Sequence, residues 1–310
     1  MHNKRMPRIC AIFTHFASAG RTLTCLRRLG AQTRQPEKVL IINNSTADDA
    51  VLPAARELAE EVLAPGALEV LQMESNLGNA GGCSHGIQHA FAELKADYVW
   101  VLDDDSWPRP ESLEQLLAVD VPEDTVRMSM VIDPTKGDEL SWPLTIVTGN
   151  ENKPWKNVTT RAELPEGNEI PSRGGWLRAG VPTPELFIRG EDEEYPWKVR
   201  AAGFRFITVA ASPLEHPSAR IPMIHYTHGA HSFFYEPGLP ESRQYYKVRN
   251  WAWLQRLKHP GNYLRRLAAC GFYIILTLRA MIHTDEVSVR KIYTLFRALH
   301  NGFYGKLRPY

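Results

Sequence analysis

Through the first hundred residues, short apolar runs alternate with longer segments whose apolar positions recur every three or four residues. Residues 8–16, 38–42, 68–73 and 98–102 read as buried strands, and residues 21–29, 48–63 and 80–94 read as the helices between them. Ser18 is placed to cap the first helix. Strands alternating with helices call for a mainly parallel sheet covered on both faces. From 121 to 184 the pattern breaks up into Pro, Gly, Trp and Asn, with short strands expected only at 126–132 and 145–148. Long loops of that kind predict a substrate-facing region. A helix at 192–202 and a strand at 205–209 follow, and residues 241–300 are mostly helical. The expected organisation is an α/β domain over residues 1–240 and a helical region over 241–310.

The fourth apolar run delivers Asp103, Asp104 and Asp105 to the start of a loop that Pro108 and Pro110 keep from continuing as strand. Ligands of open α/β sheets sit at the carboxyl ends of strands, and hard cations take carboxylate oxygens while leaving positions for phosphates. A divalent-cation site and an ordinary acidic turn are both consistent with this run.

Composition narrows the field. The 310 residues are 44% hydrophobic and 23% charged, which excludes a disordered chain. Net charge is only +1, yet ten basic residues between Arg256 and Arg308 face just Asp285 and Glu286, so the tail favours an anionic surface. Cys10, Cys25, Cys83 and Cys270 are scattered and read as reduced core thiols. The basic start, with no long apolar run behind it, predicts no signal peptide. The apolar run at 267–278 is short for a bilayer span, which takes about 20 residues. A helix lying on a membrane surface accounts for both its apolar part and the arginines Arg265, Arg266 and Arg279 around it.

Further motifs add chemistry. Asn76-Leu77-Gly78-Asn79-Ala80-Gly81-Gly82 stands between a strand and a helix, where Gly78 and Gly81 would let backbone approach a phosphate or sugar oxygen. It is neither a P-loop nor GxGxxG in register, and a plain tight turn is the alternative. Glu191, Asp192, Glu193 and Glu194 are four consecutive carboxylates at a helix start, beyond what capping requires, and one of them facing a closed site would serve as a general base. His225, His228 and His231 do not form a zinc pattern. His216, before Pro217, is the better isolated ligand. Arg249 in Tyr245-Tyr246-Lys247-Val248-Arg249-Asn250 either packs or clamps a phosphate.

Taken in order, these motifs resemble the family 2 glycosyltransferases, inverting enzymes of the GT-A fold, in particular the branch holding bacterial galactofuranosyltransferases and rhamnosyltransferases. The elements are Gln32-Thr33-Arg34-Gln35-Pro36 with Asn43-Asn44-Ser45, the Asn76 to Gly82 loop, Leu102-Asp103-Asp104-Asp105 with Pro108, and Gly190 to Tyr195 followed by Gly203 and His216-Pro217. The resemblance spans residues 8 to 255. It implies a metal-dependent transfer from a nucleotide sugar, UDP-galactofuranose first and dTDP-rhamnose second, to a lipid-linked or cell-surface glycan. Asp103 and Asp105 would form the Asp-x-Asp pair on Mn2+ or Mg2+ with His216, and Asp103 would also lie near the ribose. Asp104 would lie beside the donor, Asp192 would be the base, and Thr14, Asn43 and Asn44 would surround the nucleoside. Two positions depart from the family: Glu191 where Asp is frequent, and Asn43 where many relatives carry Asp. Arg173-Gly174-Gly175-Trp176 falls on the acceptor side without a clear counterpart.

The expected location is cytoplasmic and peripheral to the inner face of the membrane, with the C-terminal region making the contact and no nucleic-acid partner. A nucleotidyltransferase is the nearest enzymatic rival and lacks a basic phosphate-gripping loop. A non-catalytic nucleotide-sugar-binding module would need no base, so Asp105, Asp192 and His216 argue against it.

Overall fold

Inward and outward positions alternate along the first strand, and both sets are buried, so helices must cover both faces of its sheet. The computed structural model describes residues 5–46, 49–172, 182–218, 223–228 and 231–310. Four strands, β1 (Ile9–His15), β2 (Lys38–Asn43), β3 (Leu68–Gln72) and β4 (Tyr98–Leu102), form a parallel sheet in the order β3-β2-β1-β4. Ile9, Ala11 and Phe13 pack with Cys25, Leu26 and Leu29 of α1 (Ala19–Gly30) and Ala55 and Ala59 of α2 (Val51–Val62). Cys10, Ile12, Leu40 and Ile42 pack with Cys83, Ile87 and Ala90 of α3 (Gly78–Ala92) on the other face. All four cysteines are free and buried, and burial pushes the Cys10 thiol up to about 12.

The expected strands and helices all occur. Ser18 does hold the N-cap position of α1, but its side chain makes no capping bond. Helix α2 begins later than its pattern, where Asp49 Oδ1 accepts from the Val51 amide at 2.9 Å.

A second, mixed sheet takes up the region that reads as irregular. It contains β5 (Trp107–Pro108), β6 (Thr125–Asp133), β7 (Glu139–Leu140), β8 (Leu144–Asn150), β9 (Lys153–Val158), β10 (Glu169–Ser172) and β11 (Arg205–Glu215). Its main path runs β7-β6-β11-β10-β8-β9, and β5 pairs with β11. Strand β11 continues past the expected end at 209, through a register shift between Val209 and Pro213, to Glu215. That extension delivers His216. The short helix α4 (Ser112–Ala118), absent from the pattern, packs Leu113 and Leu116 into the core shared with β1.

The chain divides into two compact units, residues 1–184 with 192–218 and residues 185–191 with 219–310. The second unit holds the hairpin β12 (Ile224–His228) and β13 (His231–Tyr235) and the helices α6 (Glu241–Lys258), α7 (Tyr263–His283) and α8 (Val289–Phe303). His225, His228 and His231 stand on this hairpin, with their side chains outside the described residues. A Cβ at Gly302 would lie 2.1 Å from the carbonyl oxygen of Arg249, so α8 meets α6 backbone to backbone. Helix α7 is longer than its apolar run. Its 21 residues are long and apolar enough to cross a bilayer by length and composition, although 28% of its most apolar window is buried inside the protein.

Candidate active site

The carboxyl ends of β1, β2 and β4 carry the predicted polar residues, as parallel strands require. Thr14, at the end of β1, donates to Asn79 Oδ1 at 3.1 Å, and Asn79 Nδ2 lies 3.4 Å from Asp103 Oδ1. Thr14 and Asp103 are thereby joined through the first turn of α3. Asn44 shapes the loop before that helix, donating to the Gly78 carbonyl at 2.9 Å and accepting from the Leu77 amide at 3.3 Å. Asn76 accepts from the Gly78 amide at 2.8 Å, which closes the turn, and Gly78 has φ +66° there.

Packing by itself requires two of the glycines of this loop. A Cβ on Gly81 would meet Leu77 at 2.7 Å, and one on Gly82 would meet Thr14 at 2.8 Å and Asn44 at 2.9 Å. Glycine lets α3 sit against its own loop and the strand ends. Asn43 is fully buried, and its side chain donates to Gln72 Oε1 at 2.6 Å and to the Thr46 carbonyl at 3.0 Å while accepting from the Ser45 amide. These bonds hold the loop that follows β2.

Asp103, Asp104 and Asp105 occupy a turn in which the Ser106 amide donates to the Asp103 carbonyl at 3.1 Å and Trp107 Nε1 donates to the Asp104 carbonyl at 3.2 Å. Asp105 is the focus of the turn. Its Oδ1 lies 3.5 Å from His216 Nε2 and its Oδ2 lies 3.2 Å from Arg21 on α1; Asp104 is 4.0 Å from the same guanidinium. Burial alone would raise the Asp105 carboxyl, but the His216 hydrogen bond and charge, with Arg21, hold it below its ordinary value. Burial alone would lower His216, and Asp105 reverses that and raises it.

His216 is oriented from all sides. Its Nδ1 donates to the Pro217 carbonyl at 2.9 Å, which leaves Nε2 toward Asp105. Its amide donates to Ile132 at 2.9 Å, its carbonyl accepts from Ser141 Oγ at 2.6 Å, and Trp142 lies 5.4 Å from its ring centroid to centroid. Just before it, Glu215 accepts from Arg28 at 2.8 Å and Arg109 at 2.9 Å. Just after it, buried Asp133 accepts from the Ser218 amide at 3.0 Å.

Asp105 would offer a cation the carboxylate oxygen that hard ions such as Mn2+ and Mg2+ prefer, and His216 Nε2 lies beside it as a nitrogen donor. Among the described residues no three His, Cys, Asp or Glu side chains converge as a complete ligand set. Asp103 turns toward Asn79, although its charge is still felt at His216.

The second acidic run is sorted by burial on α5 (Glu191–Ala201). Glu194 is fully buried and accepts from Thr183 Oγ1 at 2.5 Å and its amide at 3.1 Å, with Lys198 beside it. Glu191 is buried, Glu193 is exposed, and Asp192 is partly exposed. Arg173, Gly174, Gly175 and Trp176 lie outside the described residues. Arg249 is not a phosphate clamp: it is fully buried and donates to the carbonyls of Arg308 at 2.6 Å, Glu185 at 2.7 Å and Leu186 at 3.0 Å.

Sequence reasoning missed Arg21 and Glu215, whose partners are distant in the chain, and Asp133, which joins nearby Thr135 to distant Ser218. Asn79 had a signal, because it stands inside the Asn76 to Gly82 motif.

The acidic turn at the carboxyl edge of the parallel sheet thus meets His216, which follows β11 of the mixed sheet, in an α/β fold, and residues 10–179 match glycosyl transferase family 2. The chain belongs to that family and is a glycosyltransferase of GT-A-like fold, with a parallel sheet and C-terminal helices. It is similar to galactofuranosyltransferase GlfT1 of Mycolicibacterium smegmatis, 26% identical over 300 residues that cover 90% of this chain and 93% of that protein. The Mycobacterium tuberculosis GlfT1 is 31% identical over 206 residues, 61% of this chain and 63% of that one. Among solved structures, GalNAc-T7 with UDP, GalNAc and Mn2+ superposes with TM-score 0.51 at 15% identity, over 82% of this chain and 48% of that one. That likeness is one of fold.

Proposed function

We propose that the protein transfers galactofuranose from UDP-galactofuranose to a hydroxyl of a lipid-linked or cell-surface glycan, on the cytoplasmic side, with inversion at the anomeric carbon. The observation that carries the chemistry is Asp105 held between His216 and Arg21 at the carboxyl edge of the sheet. The sugar rests on the similarity to GlfT1 of M. smegmatis over nearly the full length of both chains. GalNAc-T7, with UDP and Mn2+ on a related fold, supports a nucleotide donor and a cation.

Asp105 and His216, with Asp103 beside them, would hold the cation. When bound, it supplies charge neutralisation for the departing diphosphate. Thr14 and Asn79 position Asp103, and Asn44 and Asn76 set the loop at the start of α3, which would face the donor in this reading. Asp192 takes the proton of the acceptor hydroxyl as its oxygen bonds to the anomeric carbon. The bond from that carbon to the diphosphate oxygen breaks, and its electron pair leaves with the diphosphate.

The test is a donor panel with Mn2+ followed by Asp192→Asn. Transfer from UDP-galactofuranose, reduced by roughly 10²- to 10⁴-fold in Asp192→Asn while the donor still raises the melting temperature, is the expected result. Transfer from dTDP-rhamnose alone would establish the second donor reading. An Asp192→Asn protein that transfers at the wild-type rate would remove Asp192 as the base.

A further inference from the structure

Helix α7 has two faces of opposite character. Tyr273, Leu276, Ala280 and Met281 are buried in the core of the second unit, where Tyr273 lies 4.3 Å from the Trp251 ring and meets Phe233 edge-on at 5.0 Å. On the opposite side Leu264, Leu267, Ile275 and Ile282 are exposed by 77%, 51%, 64% and 68%. Helical spacing puts these four on one stripe, away from Tyr273 and Ala280. Helix α8 repeats the arrangement, with Val289 and Tyr293 exposed by 86% and 66% while Leu295 and Leu299 are buried.

Large aliphatic side chains at such exposure, in rows along two helices, are more than the scattered surface leucines any protein shows. The charges around them have one dominant sign. Arg265 and Arg279 are exposed on α7, Arg290 on α8 is exposed but paired with Glu241 at 2.7 Å, and the acidic residues from 256 onward are only Asp285 and Glu286. Glu286 is engaged by Tyr235 at 2.6 Å, the Gly238 amide at 2.6 Å and Lys291 at 3.1 Å, which leaves the basic excess dominant.

We infer that the exposed faces of α7 and α8 form a docking surface for an anionic lipid bilayer, with the helices lying in the headgroup region. Aliphatic side chains enter the acyl boundary while arginines stay at the phosphates. Burial of the other face of α7 decides against a span. Crossing the bilayer would strip Tyr273, Leu276 and Met281 from the core they share with Phe233 and Trp251. The inference is independent of the donor sugar, because its readout is lipid binding and not transfer.

The experiment is flotation of the full chain with phosphatidylcholine vesicles with and without phosphatidylglycerol, at low and high salt. Flotation with the anionic vesicles, weakened by salt, is expected. Arg265→Gln with Arg279→Gln should lower partitioning roughly fivefold per arginine. Ile275→Asp with Ile282→Asp should abolish it, with an unchanged circular dichroism spectrum and melting temperature as the control for folding. Absence of flotation with anionic vesicles would overturn the inference, as would equal binding to the two vesicle types. It would also be overturned by a dimer in sedimentation velocity that Ile275→Asp dissociates while vesicle binding is unaffected, which would assign the face to a second copy of this chain.

Discussion

Asp105 in the first unit and Arg249 in the second are both charged groups drawn into the protein, and they are treated in opposite ways. Arg249 is fully buried, with its guanidinium on three main-chain carbonyls and on Asn250 Oδ1 at 2.8 Å, and its face 4.8 Å from the Tyr246 ring centroid. Burial pushes it below its ordinary pKa, and no carboxylate is among those hydrogen-bond partners. Asn250 extends the same role, donating to the carbonyls of Leu186 at 2.9 Å and Ile188 at 3.0 Å, so the pair fastens residues 185–189 within the second unit. Asp105 keeps its oxygens at a turn that is still partly open, 3.5 Å from an imidazole and 3.2 Å from a half-exposed arginine. A buried charge whose donors all point at fixed carbonyls is architecture. A charge held by groups that can yield to a cation or a phosphate is chemistry.

The contrast is open to direct attack. Arg249→Met takes the donors from the Glu185 carbonyl and from Asn250 Oδ1, while Leu186 and Arg308 keep bonds from Asn250 and Tyr245, and each buried group left unpaired costs about 1–3 kcal/mol. A loss of about 3 kcal/mol or more by calorimetry is expected; a melting temperature at the wild-type value would break the architectural reading. Asp105→Ala should leave the melting temperature of the free protein nearly unchanged. It should erase Mn2+-dependent stabilisation by UDP, which is about 2.7 kcal/mol for a ligand at a hundred times its Kd. Retention of that stabilisation would take Asp105 out of the cation site.

An effect confined to acid pH concerns Asp133, which shapes the loop after His216. Burial alone would raise its carboxyl, but bonds from Ser218 and Thr135 hold it far below the ordinary range. Because the folded pKa is depressed, its stabilisation is fully present above the unfolded value of about 3.9 and is lost as pH falls toward the folded one. Asp133→Asn should therefore flatten the acid limb of the stability profile below about pH 4, measured by urea unfolding at stepped pH. An unchanged slope would mean that Asp133 does not differ between the folded and unfolded states.

The parallel half of the fold was legible because each of its elements buries a face defined by its own periodicity. β1 to β4 and their helices depend on runs of Ile, Val, Leu and Ala that no other register would bury. The mixed sheet was less legible: Lys153 to Asn157 on β9 are exposed, so no alternation of apolar residues marks that strand. At the site, the triple aspartate and His216 stood out as residue types at strand ends. The glycines of the Asn76 to Gly82 loop stood out too, but a packing reason for Gly82 was not legible, because the atoms a Cβ there would meet belong to Thr14 on β1 and Asn44 after β2. The part Asn43 plays in its loop was hidden likewise, since Gln72, its partner, lies on β3.

The sequence by itself determined the alternation of strands and helices, the placing of three carboxylates where β4 ends, and a basic, apolar tail. These follow from local periodicity and from the chemistry of single side chains. Only the tertiary structure decided that Asp105 is the aspartate that meets His216 and Arg21, that Glu194 is committed to Thr183 while Asp192 stays partly exposed, and that Arg249 is structural. Whether a charge is available to a ligand depends on how many partners already surround it, and folding brings those partners from far along the chain.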